Sequence, residues 1–584
     1  MNYLSGLTSV LRKGALFVFW YPYIMSIIWI TGSLIFSHFR ENREEVDFSK
    51  YKWPKISILL PCFNEALTVE ETISNLSKLS YPDYEIIAVN DGSTDNTGKI
   101  LEALGEKYEK LRVINCLENK GKANALHMAA HASKSEYLIC VDSDAILDDK
   151  APYYMVKQFI DNGDRVGAVT GNPRIRNRDT LLAKIQLVEY ASIIGLIKRT
   201  QRILGKVMTV SGVIVAYRKK ALVSVELWDR DVITEDIGVS WKLQKKFWDI
   251  RYEPRALCWM LVPETLKGLW NQRVRWAQGG QEIIFRHIDI FKDWRQRRIW
   301  PVYLEQVFSL IWSISWVGTT IVALFHARVR QDLLLFFSFS AFALSMLSFI
   351  QLFISMKQES TYDNIMKYYL WAAWYPTFYW FVNTFVAIAA IPKSIKSSIR
   401  GGYATWKSPD RGEIEMPLES EESEEPLDKN ESERFIVSSH ASSKVKILRK
   451  IGAYVLNIFM LGYMVIIFYL FGSGLFNHND TLVGVLKESL KITNDSIREL
   501  LYITAIIFVL SFIVQYLWRL YNVERFGKLN RRKHPGETTK EDMLSLNLVS
   551  EEVYDLLQRE KIIRFEKNPI RELNEVYKND KKNN

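Results

Sequence analysis

The sequence predicts a mostly parallel α/β domain inserted between transmembrane helices, followed by a small membrane module of two helices. Three observations support this fold class. Short apolar strands alternate with helical stretches between residues 55 and 291, apolar runs flank that region, and an acidic, serine-rich stretch follows the central membrane block. A chain of 584 residues is too long for one hydrophobic core, so several domains are expected.

Six apolar runs are long enough to cross a membrane, since about 20 helical residues span a hydrocarbon core of about 30 Å. They lie at 15–36, 304–325, 333–355, 368–391, 453–471 and 501–518. The fourth run is interrupted at Pro376 and is the weakest candidate. If all three runs between the α/β domain and the next basic stretch crossed the membrane, that stretch would lie on the opposite side of the membrane from the domain. Either one run is re-entrant or interfacial, or the basic stretch does not mark the cytoplasmic side.

The net charge of +10 does not indicate a nucleic-acid partner, because basic residues crowd beside the membrane runs. Examples are Lys393, Lys396 and Arg400, and such flanks are typical of the cytoplasmic side and of contact with anionic headgroups. We therefore predict a lipid bilayer as a partner. The predicted units are an N-terminal helix and connector at 1–54, the α/β domain at 55–291, a block of interfacial and transmembrane helices at 292–400, an acidic flexible linker at 401–445 and a two-helix module with a basic tail at 446–584.

Two acidic motifs follow predicted strands, where parallel sheets collect ligands. Asp142 and Asp144 end YLICVDSD two residues apart, so their side chains project to the same side. Carboxylates held close together favour a divalent ion with oxygen ligands, Mg²⁺ or Mn²⁺. Asp91 and Gly92 end EIIAVND in a turn that suits a ribose or uracil, with close backbone approach at the glycine. Taken alone, either motif could be an ordinary surface turn.

Two further motifs carry charges that suit a phosphate and a reacting hydroxyl. Lys122 in NKGK precedes a helix that starts near Ala123, and the N-terminus of that helix could meet a phosphate. Asp236 in TED could accept the proton of a sugar hydroxyl, with Glu235 in a supporting role. The alternatives are a solvated basic turn for NKGK and a helix cap for TED.

Gln272, Arg275 and Trp276 in QRVRW share one face if this stretch is helical. The planar fork of arginine suits diphosphate oxygens, and an indole can stack on a sugar ring. The alternative is an interfacial helix with its tryptophan at the headgroup level.

Together these motifs resemble those of the processive family 2 glycosyltransferases, which include cellulose, chitin, hyaluronan and poly-N-acetylglucosamine synthases. The resemblance covers residues 55–291 and the flanking membrane segments. It implies a cytosolic, Rossmann-like GT-A domain that transfers a sugar from a uridine diphosphate donor with inversion. The implied roles are the base for Asp236, metal binding for Asp142 and Asp144, a supporting position for Glu235, and donor or acceptor binding for Asp91, Lys122, Gln272, Arg275 and Trp276.

Within this family, the single leading membrane segment and the stretches WDRDVITEDIGVSWKLQ and ATWKSPDRG look most like the poly-β-1,6-N-acetyl-D-glucosamine synthases. That branch implies UDP-GlcNAc as donor, an extracellular biofilm polysaccharide as product, and export or deacetylation proteins as partners. The final two runs, ending in WRLYNVERFGKLNRR, resemble the accessory subunit of those synthases. Some relatives respond to cyclic di-GMP at that junction, and Arg525, Arg531 and Arg532 could bind it or lipid phosphates.

Three other functions stay open on the sequence. One is a hyaluronan-, chitin- or cellulose-like synthase, and the second is a transferase that adds a single sugar to a lipid. The third is a non-catalytic, nucleotide-binding membrane scaffold, which would require every acidic motif to be coincidental.

Overall fold

A mixed sheet forms the centre of the α/β domain in the computed structural model, which describes residues 9–41, 46–325, 327–400, 403–404, 435–437, 443–526 and 536–572. The strands are β1 (Ile56–Cys62), β2 (Tyr84–Asp91), β3 (Leu111–Cys116), β4 (Tyr137–Val141), β5 (Ile146–Leu147), β6 (Val166–Ile175), β7 (Ile214–Arg218), β8 (Asp249–Met260) and β9 (Ile562–Phe565). Their order across the sheet is β5-β8-β6-β7-β4-β1-β2-β3-β9. The run from β4 through β1 and β2 to β3 and β9 is parallel, whereas β7 is antiparallel to both of its neighbours.

Helices cover both faces of this sheet and continue into the membrane. In the α/β domain they are α2 (Val69–Ser77), α3 (Thr97–Lys107), α4 (Lys122–Ala132), α5 (Ala151–Asn162), α6 (Leu181–Tyr190), α7 (Ile197–Leu204), α8 (Lys219–Val223), α9 (Glu235–Lys245) and α10 (Leu266–Arg286). The others are α1 (Ser9–Phe39), α11 (Trp300–Phe325), α12 (Ala327–Glu359), α13 (Trp380–Arg400), α14 (Ser443–Leu475), α15 (Thr481–Ser489), α16 (Asn494–Phe526), α17 (Lys540–Ser545) and α18 (Glu551–Arg559).

The α/β prediction is confirmed by how consecutive residues of β1 divide between two cores. Ile58 packs on one face of the sheet with Val69 of α2, and the next residue, Leu59, packs on the other face with Leu126 of α4. Side chains alternate along a strand, so a strand that is apolar throughout needs helices on both faces. This arrangement brings the carboxyl ends of the parallel strands to one edge.

Six helices of the described chain are long and apolar enough to cross a membrane, and all six overlap the predicted runs. The fourth of these segments, Met366–Ile399, is irregular. It begins as a 3₁₀ helix, passes through a π-helical turn at Tyr375–Tyr379 that contains Pro376, and only then becomes α13. Proline lacks a backbone N–H, so an irregular turn here has a direct cause.

Two stretches beyond the α/β domain return to contact it. Strand β9 follows α16 in the chain and pairs in parallel with β3 at the sheet edge. Ala404, between α13 and α14, donates its backbone N–H to the carbonyl of Arg230 at 3.0 Å. Both stretches therefore lie on the same side of the membrane as the α/β domain. The pairing of β9 was not predicted from the sequence.

These contacts restrict the number of membrane crossings. Three apolar segments separate the α/β domain from Ala404, and only an even number of them can cross, so we infer that one does not. The segment Met366–Ile399 packs along the α/β domain, where Gln281 of α10 donates to the Ala387 carbonyl at 2.7 Å. Packing of this kind fits an interfacial segment, which is one of the possibilities that the sequence left open.

A buried ion network joins the membrane helices to the α/β domain. Arg199 of α7 is fully buried and pairs with Glu41, just after α1, at 2.9 Å. It also pairs with Glu359 at the end of α12, and Glu359 in turn pairs with Arg174 of β6. Four elements thus meet at two carboxylates and two guanidinium groups.

Replacing Arg199 with methionine is expected to lower the stability of the detergent-purified protein by roughly 3 to 5 kcal/mol, because it leaves buried carboxylates without their shared partner. Thermal unfolding measures the loss. Lys157→Met, which breaks the pair with Asp161 in a partly exposed part of α5, is the control and should change stability by less than about 1 kcal/mol. Equal melting temperatures for the two variants would contradict the proposed role of the network.

Candidate active site

A cavity of about 370 Å³ lies where the carboxyl edge of the sheet meets α7, α9 and α10. It brings together eight of the nine residues that the sequence singled out, although they come from stretches far apart in the chain. These are Lys122, Asp142, Asp144, Glu235, Asp236, Gln272, Arg275 and Trp276. Asp91 is the exception and does not line the cavity.

Lys122 lies between carboxylates from two different elements. It is the first residue of α4, and its Nζ is 2.6 Å from Asp142 Oδ1 and 3.0 Å from Glu235 Oε1. Asp142 directly follows β4, and Asp144 follows two residues later and is 8% exposed. Burial raises the pKa of the Asp142 carboxyl above its usual range, against the opposing effect of Lys122. Lys122 therefore ties the end of β4 to the start of α9.

Asp236 has the environment of a proton acceptor. It is the second residue of α9, and its Oδ1 accepts the backbone N–H of Ile237 at 3.0 Å. Burial, together with the charge of Glu235, raises the pKa of Asp236 to about 6. A carboxylate with a pKa near neutrality is a stronger base than an exposed one and remains ionised at pH 7.

The turn at Ser211 and Gly212 closes over these groups. A Cβ placed on Gly212 would lie 3.2 Å from Asp236 Oδ2 and 3.4 Å from Lys122 Nζ. The two reactive groups are therefore within reach of one bound molecule beside this turn.

Helix α10 presents the QRVRW motif to the cavity, as its helical spacing predicts. Gln272, Arg275 and Trp276 line the cavity. Arg273 instead pairs with buried Glu189 at 2.7 Å, and its guanidinium lies 4.2 Å from the Trp276 ring centroid. Arg273 thereby holds the indole in place and leaves Arg275 directed to the cavity.

Asp91 organises a neighbouring loop from a position that is 1% exposed. Its carboxylate accepts backbone N–H groups from Lys120 at 3.1 Å and from Gly121 at 2.7 Å. Gly92 has a φ of +70°, and a Cβ there would lie 2.5 Å from the Asn119 nitrogen. The glycine therefore permits close approach of the loop that leads into Lys122.

Lys198 of α7, which was not predicted from the sequence, also lines the cavity. Its Nζ donates to Ser211 Oγ at 2.5 Å and to Thr170 Oγ1 at 3.2 Å. Burial lowers the pKa of Lys198 to about 7, against the opposing charge of Asp236. The available signal was a lysine directly after the apolar stretch ASIIGLI, where a buried charge needs partners.

Gly279 of α10 allows the loop that ends at Thr234, directly before α9, to pack against this helix. A Cβ there would overlap Thr234 Oγ1, so no side chain fits without a shift of the loop. We expect Gly279→Ala to displace the loop and lower the catalytic rate at least about 100-fold, since small shifts of a catalytic group are costly. Gly280→Ala is the control because its nearest neighbour would be 3.5 Å away, and the turnover rates of the two variants should differ sharply.

A second cavity, of about 280 Å³, lies among the membrane helices. It shares Ile197 and Glu305 with the first cavity, so the two spaces adjoin. Its lining mixes aromatic and hydroxyl-bearing side chains, including Tyr21, Trp29, Ser309, Trp312, Ser313, Trp380 and Thr384. Such a lining suits sugar rings, which present both apolar faces and hydroxyl groups.

Comparison with known proteins agrees with this geometry. The sequence model described as glycosyltransferase like family 2 matches residues 54–279. The poly-β-1,6-N-acetyl-D-glucosamine synthase of Staphylococcus epidermidis is 44% identical over 411 residues, which is 68% of this chain and 98% of that protein. The enzyme of the same name from Staphylococcus aureus strain COL is 44% identical over 409 residues, again 68% and 98%.

Among solved structures, a mannosyltransferase from Pyrobaculum calidifontis aligns with a TM-score of 0.47 at 18% identity, over 63% of this chain and 99% of its own.

The two staphylococcal relatives are matched over nearly their whole length. This chain therefore belongs to the family 2 glycosyltransferases, in the poly-β-1,6-N-acetyl-D-glucosamine synthase group, and its α/β domain is the GT-A domain of a membrane-inserted enzyme.

Proposed function

We propose that this enzyme polymerises N-acetylglucosamine from UDP-GlcNAc into poly-β-1,6-N-acetyl-D-glucosamine, as a processive inverting transferase. The observation that carries the proposal is the convergence of eight motif residues on one cavity that adjoins a second cavity within the membrane. The names of the staphylococcal relatives support the choice of sugar and linkage.

Three side chains of the cavity take part in the proposed reaction. Asp236 takes the proton of the acceptor hydroxyl as its oxygen attacks the anomeric carbon. The bond from that carbon to the diphosphate breaks on the opposite face, and Arg275 and Lys122 meet the charge on the leaving group. A positioned base and such electrostatic stabilisation each typically contribute about 100- to 10,000-fold in rate.

The carboxylates of Asp142 and Asp144 fit a divalent ion, and we propose Mg²⁺ or Mn²⁺. Within the described ranges, no three acidic, histidine or cysteine side chains meet as a metal site. Two carboxylates from the protein are nevertheless enough to hold a divalent ion when the phosphates of the substrate supply further oxygen ligands. When bound, such an ion neutralises charge on the diphosphate.

We propose the membrane cavity as the path that the growing polysaccharide follows away from the active site. Glu305 lies at the junction of the two cavities, and Ser309 is one helical turn further along α11. A polymer extended by one sugar at a time has to leave the acceptor position, and the adjoining membrane cavity offers a path for it. Transfer would thus be coupled to export.

Ser309→Trp is expected to shorten the polymer at least about 10-fold, because an indole fills much of this cavity. Gel filtration of radiolabelled product gives the length. Ile311→Trp is the control, because this residue lies on the same helix but is 44% exposed and outside the lining, and it should leave length unchanged. A full-length polymer from Ser309→Trp would rule out this path.

For the cell, we propose a multi-pass protein of the cytoplasmic membrane with the α/β domain in the cytosol. The basic residues Lys393 and Lys396, which follow the apolar part of α13, support that orientation.

The C-terminal helices α14 and α16 would act as an accessory module. Cyclic di-GMP, export and deacetylation proteins are further proposed partners. Of the arginines predicted to bind a nucleotide, Arg525 is exposed at the end of α16, whereas Arg531 and Arg532 lie outside the described residues.

Supplying one sugar donor at a time to the purified protein distinguishes this function from the alternatives that the sequence left open. UDP-GlcNAc alone should give a long polymer. A requirement for a second donor would indicate a hyaluronan-like synthase, and polymer from UDP-glucose alone would indicate a cellulose-like one. A product with a single added sugar on lipid would indicate a non-processive transferase, and no turnover of any donor would indicate a scaffold.

A further inference from the structure

A single carboxylate lies where the active-site cavity, of about 370 Å³, meets the membrane cavity, of about 280 Å³. Glu305 of α11 lines both spaces, and it is the one acidic residue among the described residues that line the membrane cavity. That lining also holds no lysine, arginine or histidine within the described part of the chain. Acidic side chains in membrane-spanning segments are rare and mark the path of a polar ligand, because an ionised group is costly there without a partner. The position of Glu305 therefore points to a ligand.

Two hydrogen bonds hold this part of α11 against α1. Tyr21 donates its hydroxyl to the backbone carbonyl of Glu305 at 3.0 Å, and Trp312 donates its indole N–H to the Val18 carbonyl at 2.8 Å. A side chain that recognises a ligand needs a rigid support of this kind. The backbone that carries Glu305 is therefore held in place before any sugar arrives.

The Glu305 carboxylate keeps most of its capacity to accept hydrogen bonds. Its Oε2 accepts a side-chain N–H of Gln306 at 2.8 Å. An ionised carboxylate has about four lone-pair sites and no proton to donate. A ligand that satisfies the remaining sites must therefore supply donors, and in a polymer of N-acetylglucosamine these are hydroxyl groups and amide N–H groups.

The linkage of the polymer decides which of these donors are available. In a chain joined through the 6-hydroxyl, every internal unit keeps its 3- and 4-hydroxyls, which are neighbours on the ring. The two oxygens of one carboxylate can accept hydrogen bonds from this pair together. In a chain joined through the 4-hydroxyl, the oxygen at that position is bonded to the next unit and has no proton. A carboxylate that faces it loses a hydrogen bond, which is costly in a buried place.

We propose that Glu305 binds the 3,4-diol of the sugar unit that leaves the active site, and thereby selects a chain joined through the 6-hydroxyl. This inference rests on the proposed function and adds to it the residue that recognises the linkage. Trp29 and Trp312 line the same cavity, and indole faces suit the apolar faces of a sugar ring. A site built to bind a hydroxyl group discriminates strongly against a ligand that lacks it, because the polar group of the site then stays unpaired.

Oligosaccharide binding to the full chain in nanodiscs tests this role without any sugar transfer. Isothermal titration compares three ligands: a β-1,6-linked trimer of N-acetylglucosamine, the β-1,4-linked trimer, and a β-1,6-linked trimer that lacks every 4-hydroxyl. The wild type should bind the first at least about 10-fold more tightly than the other two, because a hydrogen bond to a charged group is typically worth a factor of this size or more.

Glu305→Gln separates recognition from folding. The amide has nearly the same size but offers an N–H donor, which suits the linked 4-oxygen of the β-1,4 trimer, so the preference should fall to within about twofold. This ratio is measured within one protein and does not depend on the fraction that is folded. Glu106→Gln, which removes an exposed carboxylate of α3 outside both cavities, is the control and should keep the preference of the wild type.

Three results would overturn the inference. They are a wild type that binds all three trimers equally or none of them, a Glu305→Gln variant with the wild-type preference, and equal loss of affinity for the deoxygenated trimer in both proteins, which would place the 4-hydroxyl against another residue. If a protein with any of these results still made a β-1,6-linked polymer, the proposed function would stand. A product of another linkage would contradict the proposed function itself.

Discussion

Asp236→Asn is expected to abolish polymer synthesis, with a loss of at least about 1,000-fold, while UDP-GlcNAc binding changes little. An amide cannot accept the proton of the acceptor hydroxyl, so both the base and its charge are lost at the attacking oxygen. Release of uridine diphosphate measures the rate, and isothermal titration measures donor binding. A rate near that of the wild type would show that another group is the base.

The matched control is Asp231→Asn, which lies in the loop before α9 and pairs with Arg286 at 2.8 Å outside the cavity. It should retain most of the activity.

In the wild type, kcat/KM should rise with pH through about 6, because Asp236 works as a base only when ionised and burial raises its pKa to that value. This limb of the pH profile must be absent from any residual activity of Asp236→Asn.

Asp144→Asn is expected to have the second largest effect, with loss of both donor affinity and turnover by at least about 100-fold. Asp142 stays engaged with Lys122, so Asp144 supplies a carboxylate that a divalent ion and the diphosphate require. The dependence of rate on Mg²⁺ or Mn²⁺ concentration should shift to higher values or vanish.

Asp149→Asn is the control for this substitution. Its carboxylate accepts the Ser80 backbone N–H at 2.7 Å in an exposed position, so it tests loss of a nearby negative charge without touching the cavity. The variant should show the same ion dependence as the wild type. If Asp144→Asn also kept that dependence, the metal would have to bind elsewhere.

Much of the α/β domain could be predicted because its strands are short apolar runs with local turn signals. The alternation of burial at Ile58 and Leu59 follows from the strand period alone. The predicted cavity residues lie together because strand ends and a helical face have fixed geometry, as for Asp142 after β4 and Arg275 on α10.

The features that escaped prediction depend on long-range contacts. Strand β9 is only four residues long, and nothing in IIRF indicates that it pairs with β3 more than 400 residues earlier. The partners of Lys198 come from β6 and from the turn at Ser211, so its place in the cavity depends on the tertiary fold.

Linkage and length analysis of the product is the most direct test of the central claim, that one cavity transfers sugars repeatedly from a single donor. The full chain, purified in detergent, is incubated with UDP-GlcNAc and Mg²⁺, and the product is methylated and analysed by mass spectrometry. The names of the relatives predict a polymer of many N-acetylglucosamine units joined through the 6-hydroxyl, and the geometry of the cavity predicts that Asp236→Asn does not make it. A product with one added sugar, free N-acetylglucosamine alone, or polymer from the variant at the wild-type rate would contradict it.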